Sequence, residues 1–387
     1  MDIPFLSPIF LFLICLSVIY MLAAAWFMDR FFRSAATSGL VSEQEFPPVS
    51  VIKPVSGRAG SDRENFMSFA EQDYPEFEIL FALSDVDDPV IPLLEELKRE
   101  YPRRSIRWIV ADRNTGPNYK VGNLIEATRA ARYDILVYSD SDMRVGPRYL
   151  KTVIATLLQK EVGLVTCLYR NLPVNNIWSA LEALSVQTDF MPNVLFDRRR
   201  GGFAYAFGST LGISRRVLSQ IGGLEPLLDY LADDYQMGDR VSRSGLKVSL
   251  APCLVDHVVQ SSGPGYYFHH QLRAAVTHRV CRPAGYLASV ITHGVTLSLL
   301  FGLIAGFNSL ATAVILLVCG LRISGVAYLN RRVIQNRELA PYVWLVPFND
   351  LLTTFFWFLS FFVSTVAWKQ RRFRVRAGGK IAERVRS

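Results

Sequence analysis

Asp140 and Asp142 stand one residue apart where an apolar run, Ile135-Leu136-Val137-Tyr138, stops. On an extended backbone residues i and i+2 point the same way, so both carboxylates can face one ion. Two hard oxygen ligands, with positions left for water and phosphate oxygens, suit Mg2+ or Mn2+ on a nucleotide diphosphate. Ser139-Asp140-Ser141-Asp142 is also ordinary turn composition. By itself the stretch reads more readily as a turn, and the rest of the chain raises the metal reading. Several β-favouring residues closed by polar ones read as a buried parallel strand, and ligands in open α/β sheets sit at the carboxyl ends of strands.

Three further stretches carry chemistry. Ser84-Asp85-Val86-Asp87-Asp88-Pro89 puts a second acidic cluster after the strand-like run Glu78 to Leu83. Asn114 to Asn123 opens the helix leading to the Asp134 strand, and helix-start N–H groups with Lys120 beside them can receive a phosphate. Leu231-Ala232-Asp233-Asp234-Tyr235 enters another helix, where the helix dipole favours acidic residues in any case, so capping competes with chemistry. Tyr266 to Arg282 is aromatic and basic. Its adjacent His269 and His270 diverge and cannot form the i, i+4 pair of a helical zinc site. Cys15, Cys167, Cys253, Cys281 and Cys319 are scattered, odd in number and without metal-ligand spacing, which argues against a disulfide framework or zinc site and fits a reducing compartment.

The elements that must position these residues alternate. Strands are expected at Val49 to Lys53, Glu78 to Leu83, Ile106 to Val110, Asp134 to Tyr138, Gly163 to Cys167 and Leu246 to Leu250. Helices are expected at Asn65 to Gln72, Pro92 to Arg99, Trp178 to Phe190 and Val217 to Ile221. The alternation predicts a parallel, Rossmann-like α/β sheet. No Gly-x-Gly-x-x-Gly follows the first strand, which disfavours a dinucleotide.

Half of the 387 residues are hydrophobic, concentrated at residues 8–28 and beyond residue 286. The net charge of +8 would suit nucleic acid. Much of it, however, lies in Lys369 to Arg376 directly after an apolar run, which reads as a membrane-surface anchor, with no nucleic acid partner. Pro8 to Met28 is long enough to span a bilayer. Ala23-Ala24-Ala25 resembles a cleavage site, but Asp2 replaces the usual basic start, so the segment reads as an uncleaved anchor. Arg30 and Arg33 place the chain from residue 30 onward in the cytoplasm.

Tyr286 to Gly306 and Leu310 to Leu329 form a membrane hairpin. A full span over Tyr342 to Trp368 would export the basic tail and set Asp350 in lipid, so this run is expected to be re-entrant or interfacial. The tail is then expected in the cytoplasm, able to dock on the catalytic domain. The expected organisation is an anchor at 1–30, a catalytic domain at 48–283, a membrane region at 284–368 and a basic tail at 369–387.

The order of these motifs resembles the ceramide glucosyltransferase-like family of inverting membrane glycosyltransferases, including a bacterial hopanoid-associated branch. The resemblance rests on Ser84-Asp85-Val86-Asp87-Asp88-Pro89, Ser139 to Val145, Leu231 to Tyr235, His269-His270-Gln271-Leu272-Arg273, and Ala367 to Gly379. It implies a GT-A nucleotide-sugar-binding domain flanked by N-terminal and C-terminal transmembrane helices, at the cell inner membrane with its catalytic domain in the cytoplasm. The implied donor is a UDP-sugar and the implied acceptor a membrane lipid, either ceramide or a hopanoid polyol. Asp85 would hold base or ribose, Asp140 and Asp142 the metal on the diphosphate, and Asp234 would be the general base. His270 falls in the family's last motif, where Arg273 is followed by Ala274 in place of tryptophan.

Inverting sugar transfer needs these groups: a carboxylate to take the acceptor proton, and cations such as Lys120 and Arg273 to hold diphosphate oxygens. Two other readings compete. A processive polysaccharide synthase would need more spans for a polymer channel. A non-catalytic descendant would explain Ala274.

Overall fold

Strands Val49–Pro54 (β1) and Phe77–Leu83 (β2) are buried along almost their whole length, which an apolar strand achieves only with both sheet faces covered. The computed structural model describes residues 6–37, 45–111, 116–173, 176–259, 263–368 and 371–383. These divide between two units, one of Ser34–Tyr169, Phe203–Gln260 and Gly379–Ser387, the other of Met1–Arg33, Arg170–Gly202 and Ser261–Gly378.

The first of these is an α/β unit. Its sheet continues through Ser105–Val110 (β3), Ile135–Tyr138 (β4), Met143–Arg144 (β5), Val162–Leu172 (β6), Leu211–Ser214 (β7) and Lys247–Val258 (β8). Across the sheet the order is β3-β2-β1-β4-β7-β6-β8-β5. β3, β2, β1 and β4 are parallel, and β7 pairs antiparallel to β4.

Alternate side chains go to opposite faces. Val51, Ile79, Phe81 and Val137 pack with Phe66, Phe69, Leu93 and Leu97 on one face. Ile52, Leu80, Leu136 and Tyr138 pack with Val121, Leu124, Val217 and Met237 on the other. The Phe66 and Phe81 rings lie 4.8 Å apart. Truncating either to alanine would cost about 3–5 kcal/mol.

At the amino ends of the strands a buried carboxylate ties the sheet together. Glu78 accepts from Ser50 Oγ (2.7 Å), the Arg132 N–H (2.7 Å) and Arg107 Nη2 (2.7 Å). Charge satisfaction is thus built into that edge, and the carboxyl ends are left for function.

The second unit is helical. Ser7–Arg33, Ser309–Ile334 and Ala340–Phe362 are each long and apolar enough to cross a membrane. Over Tyr286 to Gly306, where the sequence predicts one span, Pro283–Thr292 and Gly294–Ile304 form a pair bent by 61°. Trp178 to Phe190 was expected to be one amphipathic helix. Instead Ile177–Ser185 runs into a π turn, Val186–Phe190, and on through Met191–Arg199.

The run from Tyr342 also differs. Its helix ends by Phe362, and Thr365–Trp368 (β9) pairs antiparallel with Arg371–Val375 (β10). Asp350, the residue that argued against a span here, is not left to lipid: Arg322 Nε meets its Oδ2 at 2.8 Å. Asn114, Lys369 and Ser387 lie outside the described residues.

Candidate active site

The chain leaves β4 in the middle of the sheet and reaches β5 at its edge with four residues between, so Ser139 to Asp142 must run along the end of the sheet where β4 finishes and antiparallel β7 begins. Backbone bonds hold this crossing. Ser139 N donates to Ile52 O (3.1 Å), Asp140 N to Gly208 O (3.1 Å) and Val258 N to Asp142 O (3.0 Å). Lys53, fully buried at the end of β1, donates from Nζ to Asp140 O (2.9 Å) and sits 3.6 Å from the Phe69 ring centroid. Burial lowers its pKa to about 7.

Lys120 enters from helix Tyr119–Ala130. The cap of that helix, Asn118, accepts from Val121 N (3.2 Å) and donates to Tyr230 O (2.9 Å), tying the helix start to the loop before Asp233. Lys120 Nζ then lies 2.8 Å from Asp140 Oδ1 and 3.3 Å from Asp233 Oδ2. Burial opposes its charge, but Asp140, Asp233 and Asp234 outweigh that and hold its pKa above the ordinary value.

Asp233 and Asp234 open helix Asp233–Arg243, and Ala232 at its cap makes no side-chain bond. Asp234 Oδ2 accepts from Gly208 N (2.8 Å) and Oδ1 from Tyr235 N (2.7 Å). Burial, then the Asp233 charge, push the Asp234 carboxyl up to about 6.

Asp142 faces a different partner. Its Oδ2 lies 3.2 Å from His257 Nε2 on β8, and its Oδ1 is buried with no hydrogen-bond partner among the described residues. Burial alone would raise its pKa, but His257 and Lys53 outweigh burial and keep it below the usual value. Burial raises the Asp140 carboxyl against the pull of Lys120.

Four carboxylates therefore gather around two lysines. That negative excess, with one buried carboxylate oxygen unanswered, fits a divalent cation. Among the described residues no group of three or more His, Cys, Asp and Glu makes a ready cage. An ion held by one or two carboxylates and completed by diphosphate oxygens needs none.

Asp85 follows β2 on the same sheet edge, two strands from β4, and its Oδ1 accepts from Asp87 N (3.1 Å). Neighbouring Asp88 is buried and accepts from Gly57 N and Val90 N, a structural duty. His270 and Arg273 belong to the helical unit, on helix Pro264–Cys281 and three residues apart, hence on one face. His270 Nδ1 lies 3.2 Å from the buried Glu182 Oε1, and its ring stacks on Tyr266 at 5.7 Å.

Sequence reasoning missed Lys53, His257 and Gly208. Lys53 had a signal, a lone cation closing an apolar strand. His257 had none, lying 115 residues from Asp142. Gly208 is required by space, since a Cβ there would come within 2.5 Å of Asp140 Oδ2.

A family model described as glycosyl transferase family 21 matches residues 9–381. The chain belongs to that family. It is similar to ceramide glucosyltransferase 3 of Caenorhabditis elegans, 23% identical over 390 residues, covering 96% of this chain and 81% of the relative. Ceramide glucosyltransferase 1 of the same organism is 23% identical over 348 residues, 87% and 73% of the two chains. The ceramide glucosyltransferase of Komagataella phaffii is 35% identical over 101 residues, 25% of this chain and 20% of the relative. Among solved structures, the mannosyltransferase PcManGT from Pyrobaculum calidifontis in complex with GDP-Man and Mn2+ is 17% identical. It covers 89% of this chain and 99% of its own, with a TM-score of 0.46. The family read from the order of Asp85, Asp140, Asp142 and Asp234 is borne out, and with it the GT-A fold. This family 21 member is a ceramide glucosyltransferase-like glycosyltransferase.

Proposed function

We propose that this family 21 glycosyltransferase moves a hexose from a UDP-sugar to a hydroxyl of a membrane lipid, inverting the anomeric carbon. The observation that carries the reading is the convergence of Asp140, Asp233 and Asp234 on Lys120 where β4 ends, with Asp142 two residues on from Asp140. Ceramide with glucose is the pairing the relatives' names suggest, and a hopanoid polyol with N-acetylglucosamine is the close variant.

Asp140 and Asp142, with His257 beside them, would hold Mg2+ or Mn2+, which neutralises charge on the departing diphosphate. Asp234 takes the proton of the acceptor hydroxyl as its oxygen attacks the anomeric carbon and the bond to UDP breaks. Such a base contributes roughly 10²–10⁴-fold. A carboxyl poised near 6 is ionised at neutral pH and still basic enough to accept that proton. The Gly208 and Tyr235 N–H groups fix its orientation. Asp85 would contact the base or ribose, and Arg273 and His270 the donor. Lys120 keeps Asp233 and Asp140 in place and stays near enough to serve the diphosphate.

Lipid acceptors explain the apolar helices, and Arg30 and Arg33 after the first span favour a catalytic unit on the cytoplasmic side of the inner membrane. Purified protein in lipid nanodiscs, given UDP-glucose or UDP-N-acetylglucosamine with ceramide or a hopanoid polyol, tests the reading by mass spectrometry of the lipids. A glycolipid with the β-anomer is expected. Free sugar polymer, or no transfer with any pairing, would refute it.

A further inference from the structure

After its last apolar helix the chain turns back toward that helix's end. The candidate span Ala340–Phe362 leads into β9, and β10 returns along β9 antiparallel, with Arg374 opposite Thr365. Val375 N donates to Ser364 O (2.8 Å). Ser364 is two residues past Phe362, so the Val375 backbone lies within about 12 Å of the helix end. That is close to the Debye length, about 10 Å at 0.1 M salt.

Side chains alternate along β10. Phe373 is buried opposite the buried Val366 of β9, and Val375 is buried as well. Arg372 and Arg374 stand on the other face and are exposed, as is Arg376 just past the strand. None of these three arginines makes a hydrogen bond or an ion pair with a described residue. Capping the helix does not require them. Arg279 already reaches that end, donating from Nη2 to Val363 O (3.0 Å).

A solvated surface strand interleaves both signs of charge. Here no acidic residue stands between Asp350 and Glu383. A face of guanidiniums alone suits phosphate oxygens, which arginine grips with two parallel N–H groups. The same helix end presents Phe358 and Phe362, exposed at 58% and 72%, with their rings 5.1 Å apart. Exposed aromatic rings at the end of an apolar helix suit the boundary between lipid and water.

We propose that Arg372, Arg374 and Arg376 bind the phosphate groups of anionic phospholipids at the surface of the bilayer that holds Ala340–Phe362. The aromatic rings enter the boundary, and the returning strand lays its arginines over the head groups. The inference rests on the reading of the chain as membrane-bound.

The test uses the full chain in phosphatidylcholine nanodiscs with or without phosphatidylglycerol, and a phosphatidylglycerol carrying a diazirine beside its head group. Cross-links are expected in residues 358–376. Unlabelled phosphatidylglycerol should compete, and neither phosphatidylcholine nor soluble glycerol 3-phosphate should. Phosphatidylglycerol should also raise the melting temperature, as a ligand of the folded state does. The triple variant Arg372→Gln, Arg374→Gln, Arg376→Gln should weaken the competition roughly 100-fold, at about fivefold per arginine. It should lose the lipid-dependent melting shift and keep its melting temperature in pure phosphatidylcholine. If it melts lower there, the triple lysine variant decides, since it keeps the charge and must keep the preference for phosphatidylglycerol. Equal cross-linking of the two lipids, or cross-links that survive the glutamine variant, would overturn the proposal. Competition by glycerol 3-phosphate would do so by making the face a site for free phosphate. A raised donor KM in the variant would do so by placing the arginines on the nucleotide. A chain that does not enter phosphatidylcholine nanodiscs fails the membrane reading, whereas one that enters and ignores lipid charge fails this inference alone.

Discussion

Lys120 Nζ lies 2.8 Å from Asp140 Oδ1 and 3.3 Å from Asp233 Oδ2, so one cation joins two acidic motifs 93 residues apart in the chain. The sequence suggested a phosphate ligand at this position. The structure gives Lys120 an additional duty, as the counter-charge shared by the buried Asp233 and the half-buried Asp140. Replacing it with methionine should therefore affect folding as well as turnover. Loss of one partner of a buried pair costs about 3–5 kcal/mol, toward the low end here because Asp140 keeps some exposure. Thermal unfolding of Lys120→Met should fall by several degrees with transfer lost. An unchanged melting temperature would show that the carboxylates are neutralised in another way.

Gly208 tests the packing of the same cluster without touching a charge. The added methyl of Gly208→Ala would displace the Asp140 carboxylate or the Lys120 ammonium, 2.5 and 3.1 Å from the new Cβ. Misplacement of about 1 Å can cost roughly 10²-fold in rate. We expect a loss of that order in kcat in a protein whose unfolding is close to wild type.

The pH profile reports on Asp234. Its carboxyl titrates near 6, and a general base works only when ionised, so kcat should rise through pH 6 and reach a plateau above it. Asp234→Asn should bind donor normally and turn over at least roughly 100-fold more slowly, since the amide accepts no proton. Wild-type turnover in that variant would place the base elsewhere.

The tail supplies a fourth test. Ile381 N donates to Asp229 O (2.7 Å) and Leu231 N to Gly379 O (3.1 Å), so residues 379–381 hold the loop that leads directly into Asp233. Truncation after Arg376 should lower kcat by roughly tenfold or more through a loosened base, with donor KM little changed. Full activity in the truncated chain would mean that Asn118 and the helix alone hold that loop.

Ala274 can be examined by restoring the family's residue. It is half-buried on helix Pro264–Cys281, directly after Arg273. Ala274→Trp is expected to raise activity. A fall would mean that the site has repacked around the small side chain.

What the sequence determined by itself was local. Apolar runs closed by Asp85 and Asp140 announced strands, and the long apolar runs announced helices long and apolar enough to cross a membrane, because periodicity and run length depend on neighbours along the chain. The pairings were decided only in three dimensions. His257 reaches Asp142 because β8 pairs with β5 at the sheet edge, and Gly208 reaches Asp140 because the chain before β7 returns alongside β4. Asp350 tolerates burial because Arg322, 28 residues away, faces it. No spacing rule announces these contacts. A charge buried by the fold takes whichever partner the packed helices and strands bring within a few ångströms, and that choice belongs to the tertiary structure.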